Sequence, residues 1–318
     1  MKKLLILAVI VASLTAKILI VNSYDSKDQC GIPQLNGFLY VMYKHGYNPG
    51  DFNIVFLNSR VISKQELKNR AKKILNTINN YKTVVTIDDN AFKYVGIPAL
   101  DKNKTVFFSG LNYPFEKYKK EYNLSKNIGG VIEKLYVKEM LTTFNKIIPI
   151  NKIALFYSDG VGTILKNQIL GELENSKFKS KIRLFHIKTV KELDEKTRLV
   201  DQNSSFTLFM PWTLSLKKEN KKLPFYKIKD IYLNNLRKPD LSVNLTFVKM
   251  GFLGFGGVDF FEMGKQTGKI FLHYKKTGEF KIQNASKYYY FINAKRAKEI
   301  GLKLPKWFIK NYVKDIVW

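Results

Sequence analysis

One cysteine, three histidines, nine prolines and very few arginines are spread over 318 residues. Cys30 has no partner for an internal disulfide, so a packed core must hold the chain together. A catalytic thiol needs a neighbouring base, and only His45, His186 and His273 are available. These histidines are far apart, and with one cysteine they form no zinc site at a recognised spacing, so no metal is expected. Proline is scarce and low-complexity tracts are absent, which excludes a mostly disordered chain. Acidic residues are also in short supply, 26 against 54 basic ones, giving a net charge of +28. Arginine, the residue suited to bidentate phosphate and base contacts, occurs only at positions 60, 70, 183, 198, 237 and 296. The lysines run from end to end without a zinc-finger, RNA-recognition or basic-zipper motif. Nucleic acid is therefore not an expected partner. A solvated lysine-rich surface accounts for the charge, as would attraction to an anionic membrane or an acidic ligand.

Catalytic signatures are missing too. The sequence holds no G-x-S-x-G elbow, no H-E-x-x-H and no phosphate-binding loop; Gly264-Lys265-Gln266 and Gly268-Lys269-Ile270 lack the spacing and the hydroxyl. No cofactor is implied, and Gly254-Phe255-Gly256-Gly257 departs from the dinucleotide pattern and suits a hinge or close packing. The adjacent pair Asp88–Asp89 could do acid–base work, but neighbours at a strand end point in different directions.

What the chain does have begins at its start. Lys2 and Lys3 precede an apolar run from Leu4 to Leu14, and Ala16 offers a small residue for cleavage. That run has the length of a signal peptide and is short for a membrane span, so residues 1–16 predict export to the periplasm or another extracytoplasmic space. An uncleaved anchor or a buried first strand is the alternative. Beyond it, short β-branched and aromatic runs alternate with helical patterns. Strands are expected at 17–21, 53–57, 83–87 and 105–108, with helices at 35–45 and 63–79, the second opened by Ser63 and a capping box with Glu66. The pattern restarts with a helix over 129–147 and strands at 152–157, 182–187 and 206–210, separated by helices at 162–176 and 190–200. A helix near 259–275, a strand at 288–292 and a helix from Ala294 close the chain. Two successive α/β units imply two Rossmann-like lobes, each a three-layer sandwich.

Ligands of open parallel sheets bind beyond the carboxyl ends of the strands. Those ends carry Tyr24 and Asp25, then Asp89 and Asn90, then Asn112 and Tyr113, and in the second unit Ser158 and Trp212. Flat rings mixed with a few hydrogen-bonding groups make the composition of a small-molecule pocket, although each polar residue alone also suits a turn or helix cap. Three stretches, Asp101–Thr105, Glu121–Ser125 and Asp201–Ser205, fit the acidic-x-Asn-x-Ser/Thr acceptor pattern of bacterial N-glycosylation.

The chain resembles the substrate-binding proteins of ABC transporters with the type I periplasmic-binding fold, in the branch that includes tryptophan- and tyrosine-binding members. The resemblance spans residues 17–310 and rests on three stretches: Thr86–Val95, Asp259–Gly268, which resembles a Y-x-x-G-x-x-A/T-G helix, and Ile292–Pro305, which resembles I-N-x-x-x-A-x-x-L-G-x-x-I-P. Pro211-Trp212-Thr213 departs from the family's usual Asp-Asn, and Ser109–Tyr113 from its V-T-D-P, so an aromatic amino acid is not carried over as the ligand. The resemblance implies three crossovers and a hinge, with lobe one at 17–115 plus 256–283 and lobe two at 116–255 plus 284–318. It also implies a monomer that captures an amino-acid-like or other small polar or aromatic solute by hinge closure and delivers it to a permease. Tyr24, Asp25, Asp89, Asn90, Asn112, Tyr113, Ser158, Trp212 and Asp259 are the expected contacts, with carboxylates holding an amine or hydroxyls. The alternatives are a sensor subunit reporting to a membrane kinase and a carboxylate-based hydrolase.

Overall fold

The computed structural model describes residues 18–124, 127–211, 216–218, 221–223, 225–242 and 245–317, so the signal-like segment lies outside the described residues. The fold is α/β and divides into two compact units. The first holds residues up to Glu133 together with Phe260–Ala285; the second holds Lys134–Asp259 and the residues from Ser286. The chain passes between them after Glu133, Asp259 and Ala285, and the first passage falls later than the expected 115/116.

The first unit is built on β1 (Ile18–Asn22), β2 (Phe52–Phe56), β3 (Thr83–Ile87), β4 (Thr105–Leu111) and β5 (Ile128–Ile132). With the short strand Ile282–Asn284 these form a parallel sheet ordered 282–284, β5, β4, β3, β1, β2. β1 is buried along its whole length, as expected of an apolar strand covered on both faces. Successive side chains of β4 serve opposite faces. Phe107 meets Phe271 at 5.4 Å between ring centroids, whereas Phe108 meets Phe92 at 5.3 Å on the other side.

Helix α1 (Gly31–Lys44) and helix Phe260–Thr277 cover the first of these faces. They touch through glycine. A Cβ at Gly37 would lie 2.0 Å from the carbonyl oxygen of Phe261, and one at Gly264 would lie 2.0 Å from that of Gln34. Gly268 is less tightly placed, with a Cβ there 2.9 Å from the Val41 side chain, so the backbone contact is made by Gly37 and Gly264. Gly264 of the Asp259–Gly268 stretch is thus required by backbone-to-backbone packing.

Helix α2 (Lys64–Asn76) starts as the sequence predicts, with Ser63 Oγ accepting from Glu66 N at 3.1 Å. The Glu66 carboxylate pairs with Arg70 at 2.8 Å instead of closing the capping box. A full box does form at Thr189–Glu192, which was not among the expected caps. The helix expected over 129–147 is replaced by β5 and a shorter helix, Val137–Phe144. Gly129 and Gly130 explain it. A Cβ on Gly130, whose φ is 152°, would sit 2.2 Å from Phe108 O, so the pair admits a strand against β4 and disfavours a helix.

In the second unit β6 (Lys152–Tyr157) lies between β7 (Ile182–His186) and β8 (Phe206–Met210), all parallel. Its residues alternate between two cores, Ile153 and Leu155 in one, Ala154 and Phe156 in the other. A bridge from Phe209 to Asp240 leads on to a second set of strands, Leu241–Ser242, Gly254–Val258, Tyr288–Asn293 and Val313–Val317. Gly254–Gly257 thus belongs to a strand, where Gly256 approaches Met140 and only a glycine fits. The Ile292–Pro305 stretch is structural in a similar way. Asn293 caps helix Ala294–Glu299 by accepting from Arg296 N at 2.8 Å, and Gly301 has a φ of 69° just past the helix.

Candidate functional site

Several of the expected residues meet at the carboxyl ends of β1, β3 and β4. Ser23, just past β1, fastens these ends together: its hydroxyl donates to Ile87 O and accepts from Ala91 N, both at 2.8 Å. Tyr24 then donates to Asp88 Oδ2 at 2.5 Å, and the Arg60 guanidinium lies 4.1 Å above its ring. Arg60 is itself paired with the buried Asp28 at 2.6 Å, while Asp28 accepts from Cys30 N and Gly31 N at the start of α1. One face of Tyr24 and the local guanidinium are therefore already engaged.

Asp88 occupies the left-handed region with a φ of 70°, an uncommon conformation for a residue with a Cβ. Its carboxylate accepts from its neighbour's N–H, Asp89 N, at 2.7 Å. Asp89 points elsewhere: it accepts from Asn112 N at 3.0 Å, Tyr113 N at 3.1 Å and the Tyr118 hydroxyl at 3.1 Å. It thereby fixes the loop that carries Asn112 and Tyr113. Asn90 donates to Ser59 Oγ at 3.0 Å, and Tyr113 packs edge-on against Tyr118 with its hydroxyl donating to Glu121. Asp25 accepts from Lys27 N at 2.7 Å in a local turn.

A third carboxyl joins this group. Glu133 follows β5 directly and lies near the Asn112 carboxamide, which favours its charged form. Burial, with the negative charges of Asp88 and Asp89 added to it, pushes Glu133 up to about 8. Asp88 is pushed up to about 7, by burial first and by Asp89 second; Asp89 moves in the same direction through burial. Burial also holds the Tyr24 and Tyr118 phenols above their ordinary range and pushes the Cys30 thiol up to about 12, which makes it an unreactive side chain. The chemistry on offer is a set of carboxyls in need of positive charge, framed by phenols and a carboxamide.

In the second unit the residues past β6 are Ser158 and Asp159. Ser158 is buried, and Asp159 is exposed and pairs with His186 Nε2 at 2.9 Å. His186 stacks on Tyr157 with ring centroids 4.9 Å apart, and Lys166 lies over the same ring. Asp259 is buried beside Lys314. Trp212 lies outside the described residues. Asp88, Arg60, Tyr118, Glu133 and His186 were not among the expected contacts. Asp88 was legible from its place beside Asp89, whereas Glu133 was hidden by the helix predicted across it. Among the described residues no helix is long and apolar enough to cross a membrane.

A family model described as ABC transporter substrate binding protein matches residues 35–314. No curated protein matches the chain. Among solved structures, the chain is similar to the ligand-free, open structure of a substrate binding protein with adhesive properties from Clostridium difficile (TM-score 0.69, 14% identity, covering 95% of this chain and 99% of that one). It is also similar to a conserved domain protein from Vibrio cholerae (TM-score 0.65, 15% identity, 95% and 99% covered). A third is an ABC domain in complex with L-Trp from Streptococcus pneumoniae (TM-score 0.62, 17% identity, 95% and 99% covered).

Proposed function

Given that the chain belongs to the ABC transporter substrate-binding protein family, we propose that it captures an extracytoplasmic small solute bearing a protonated amine and delivers it unaltered to a permease. The observation that carries this reading is the group of three proton-hungry carboxyls, Asp88 and Asp89 beyond β3 and Glu133 beyond β5. The nearby guanidinium, Arg60, is already held by Asp28 and Tyr24. An ammonium group supplies the missing charge, and the phenols of Tyr24 and Tyr118 frame an apolar or aromatic part of the solute. Asn112 orients the amine through Glu133, and Asp89 and Asn90 keep the loops in place. Ser158 and Asp259 belong to the second unit's share of the solute, and hinge closure on the solute is part of the same proposal. The L-Trp held by the Streptococcus pneumoniae relative makes an amine-bearing aromatic solute a fitting first candidate. Export by residues 1–16 places capture outside the cytoplasm.

A thermal-shift and calorimetry screen of amino acids, other amines, sugars and carboxylates tests the reading. Amines alone should stabilise the protein, by roughly 3–4 kcal/mol at 100–1,000 times Kd, and the solute should be recovered unchanged. Stabilisation by sugars or carboxylates and not by amines would sink the amine assignment, and chemical turnover would sink the capture role.

A further inference from the structure

Solute capture leaves one pattern unexplained. Three asparagines stand in acidic-x-Asn-x-Ser/Thr stretches: Asn103 between Asp101 and Thr105, Asn123 between Glu121 and Ser125, and Asn203 between Asp201 and Ser205. With 26 acidic residues in 318, a random order of this composition yields on the order of 0.2 such stretches per chain, so three is an excess.

The fold puts all three asparagines in the same kind of place. Each is exposed, and each stands within three residues past the end of a helical segment. Asn103 has a φ of 58° and donates its N–H to Leu100 O at 2.9 Å, closing the turn before β4. Asn123 has a φ of 50°, and the following Leu124 N donates back to Lys119 O at 3.0 Å. Asn203 is the last cap of helix Val190–Gln202, and its side-chain oxygen accepts from Ser205 N at 3.0 Å. Asparagine is common just past helices in the left-handed region, which accounts for the residue type at Asn103 and Asn123, whereas Asn203 is an extended cap with a φ of −86°. Neither conformation explains an acid two residues before each one and a hydroxyl two residues after. Two of the acids also have local partners, Glu121 with the Tyr113 hydroxyl and Asp201 with Arg237 N. Asp101 is exposed. Ser125 lies outside the described residues. Helix-end turns open at little cost, so a modifying enzyme can reach these carboxamides without unfolding either unit.

We propose that Asn103, Asn123 and Asn203 are acceptors of an N-linked oligosaccharide; this rests on the export proposed above. The donor is a lipid-pyrophosphate-linked oligosaccharide used by an oligosaccharide transferase. The carboxamide nitrogen bonds to the anomeric carbon while the bond from that carbon to the pyrophosphate oxygen breaks. The lipid pyrophosphate leaves, and the nitrogen gives up one proton to a base of the transferase. Asn284 is a built-in control: it is exposed and stands in Asn-x-Ser, but Ile282 replaces the acid.

The full chain, purified from the envelope of its native cells, is weighed intact and its peptides sequenced by mass spectrometry. Up to three equal mass increments are expected, with N103Q, N123Q and N203Q each removing one. Asp101→Ala should remove the Asn103 increment while leaving the asparagine in place, a loss that a folding defect would not confine to one site. Equal modification of Asn284 would overturn the acid-dependent assignment. A bare chain whose N-terminus shows the leader removed would overturn the glycan proposal alone. A bare chain that still carries residues 1–16 and fractionates with the cytosol instead of the envelope would overturn it together with the export reading.

Discussion

Both units bury acid, and they treat it in opposite ways. In the second, Asp240 is fully buried and receives Arg296 Nε at 3.0 Å and Leu253 N, while Arg296 also donates to Leu236 O at 2.9 Å. Burial pushes Asp240 up, and the guanidinium pulls it back. In the first unit, burial raises Asp88, Asp89 and Glu133, Asp89 raises Asp88 further, both raise Glu133, and the nearby Arg60 guanidinium is paired with Asp28. A buried carboxylate with its own cation ties elements together, whereas the less-compensated carboxyls of the first unit are the ones to which the proposed function assigns the solute's ammonium group. The contrast separates architecture from function better than burial alone.

The largest expected effect breaks the architectural side. Asp240→Ala leaves Arg296 buried without its carboxylate, so urea unfolding should show a loss of about 3–5 kcal/mol. A loss below 1 kcal/mol would mean that Arg296 finds water and that the pair is not structural. The next acts on the functional side and carries the opposite sign. Glu133→Gln removes a charge that the fold disfavours, so solute-free stability at pH 8 should rise by about 1–2 kcal/mol. Amine affinity measured by calorimetry should fall about tenfold or more, as expected for a lost charge-assisted bond worth at least 1.4 kcal/mol. A variant that is both less stable and unchanged in affinity would place Glu133 with the structural acids.

The pH dependence is a smaller, global form of the same contrast. Asp88 at about 7 and Glu133 at about 8 hold protons more tightly folded than unfolded. Their contribution to stability is therefore complete below the ordinary carboxylate range and is lost as pH rises through 7 and 8. Solute-free protein should melt at a lower temperature at pH 8.5 than at pH 6, and an amine solute should bind more tightly over the same rise. Glu133→Gln should flatten both trends. The smallest effect is expected at Asp25, whose role is a local turn to Lys27 N. Asp25→Ala should change stability by no more than about 0.5 kcal/mol, with amine affinity within twofold.

Much of the fold was legible because buried parallel strands write themselves as unbroken apolar runs: KILIV, TVVTI and KIALFY are strands within a residue of where the sequence puts them. The glycine stretches were legible as motifs but not as contacts, since nothing in Gly264 itself reveals a carbonyl 2.0 Å from its absent Cβ. At the site, strand-end position found Tyr24, Asp89, Asn112 and Tyr113. Residue type alone could not say that Asp89 turns both oxygens toward backbone N–H groups while Asp88 turns toward Tyr24. Glu133 was lost for a different reason. A helical pattern was drawn through Gly129 and Gly130, and an acid inside a helix reads as surface. Its significance depends on β5 lying beside β4, a pairing that local sequence does not encode.

The glycine-lined crossing of α1 with helix Phe260–Thr277 also governs the order of events in time. These helices are more than two hundred residues apart in the chain, and the strand that completes the first sheet, Ile282–Asn284, comes later still. The face of the amino-terminal sheet that carries Phe107 therefore stays uncovered until nearly the whole polypeptide has been made, while the opposite core draws only on residues 19–132. Contacts of this sequence separation form slowly, so one side of the first unit can pack early and the other completes late.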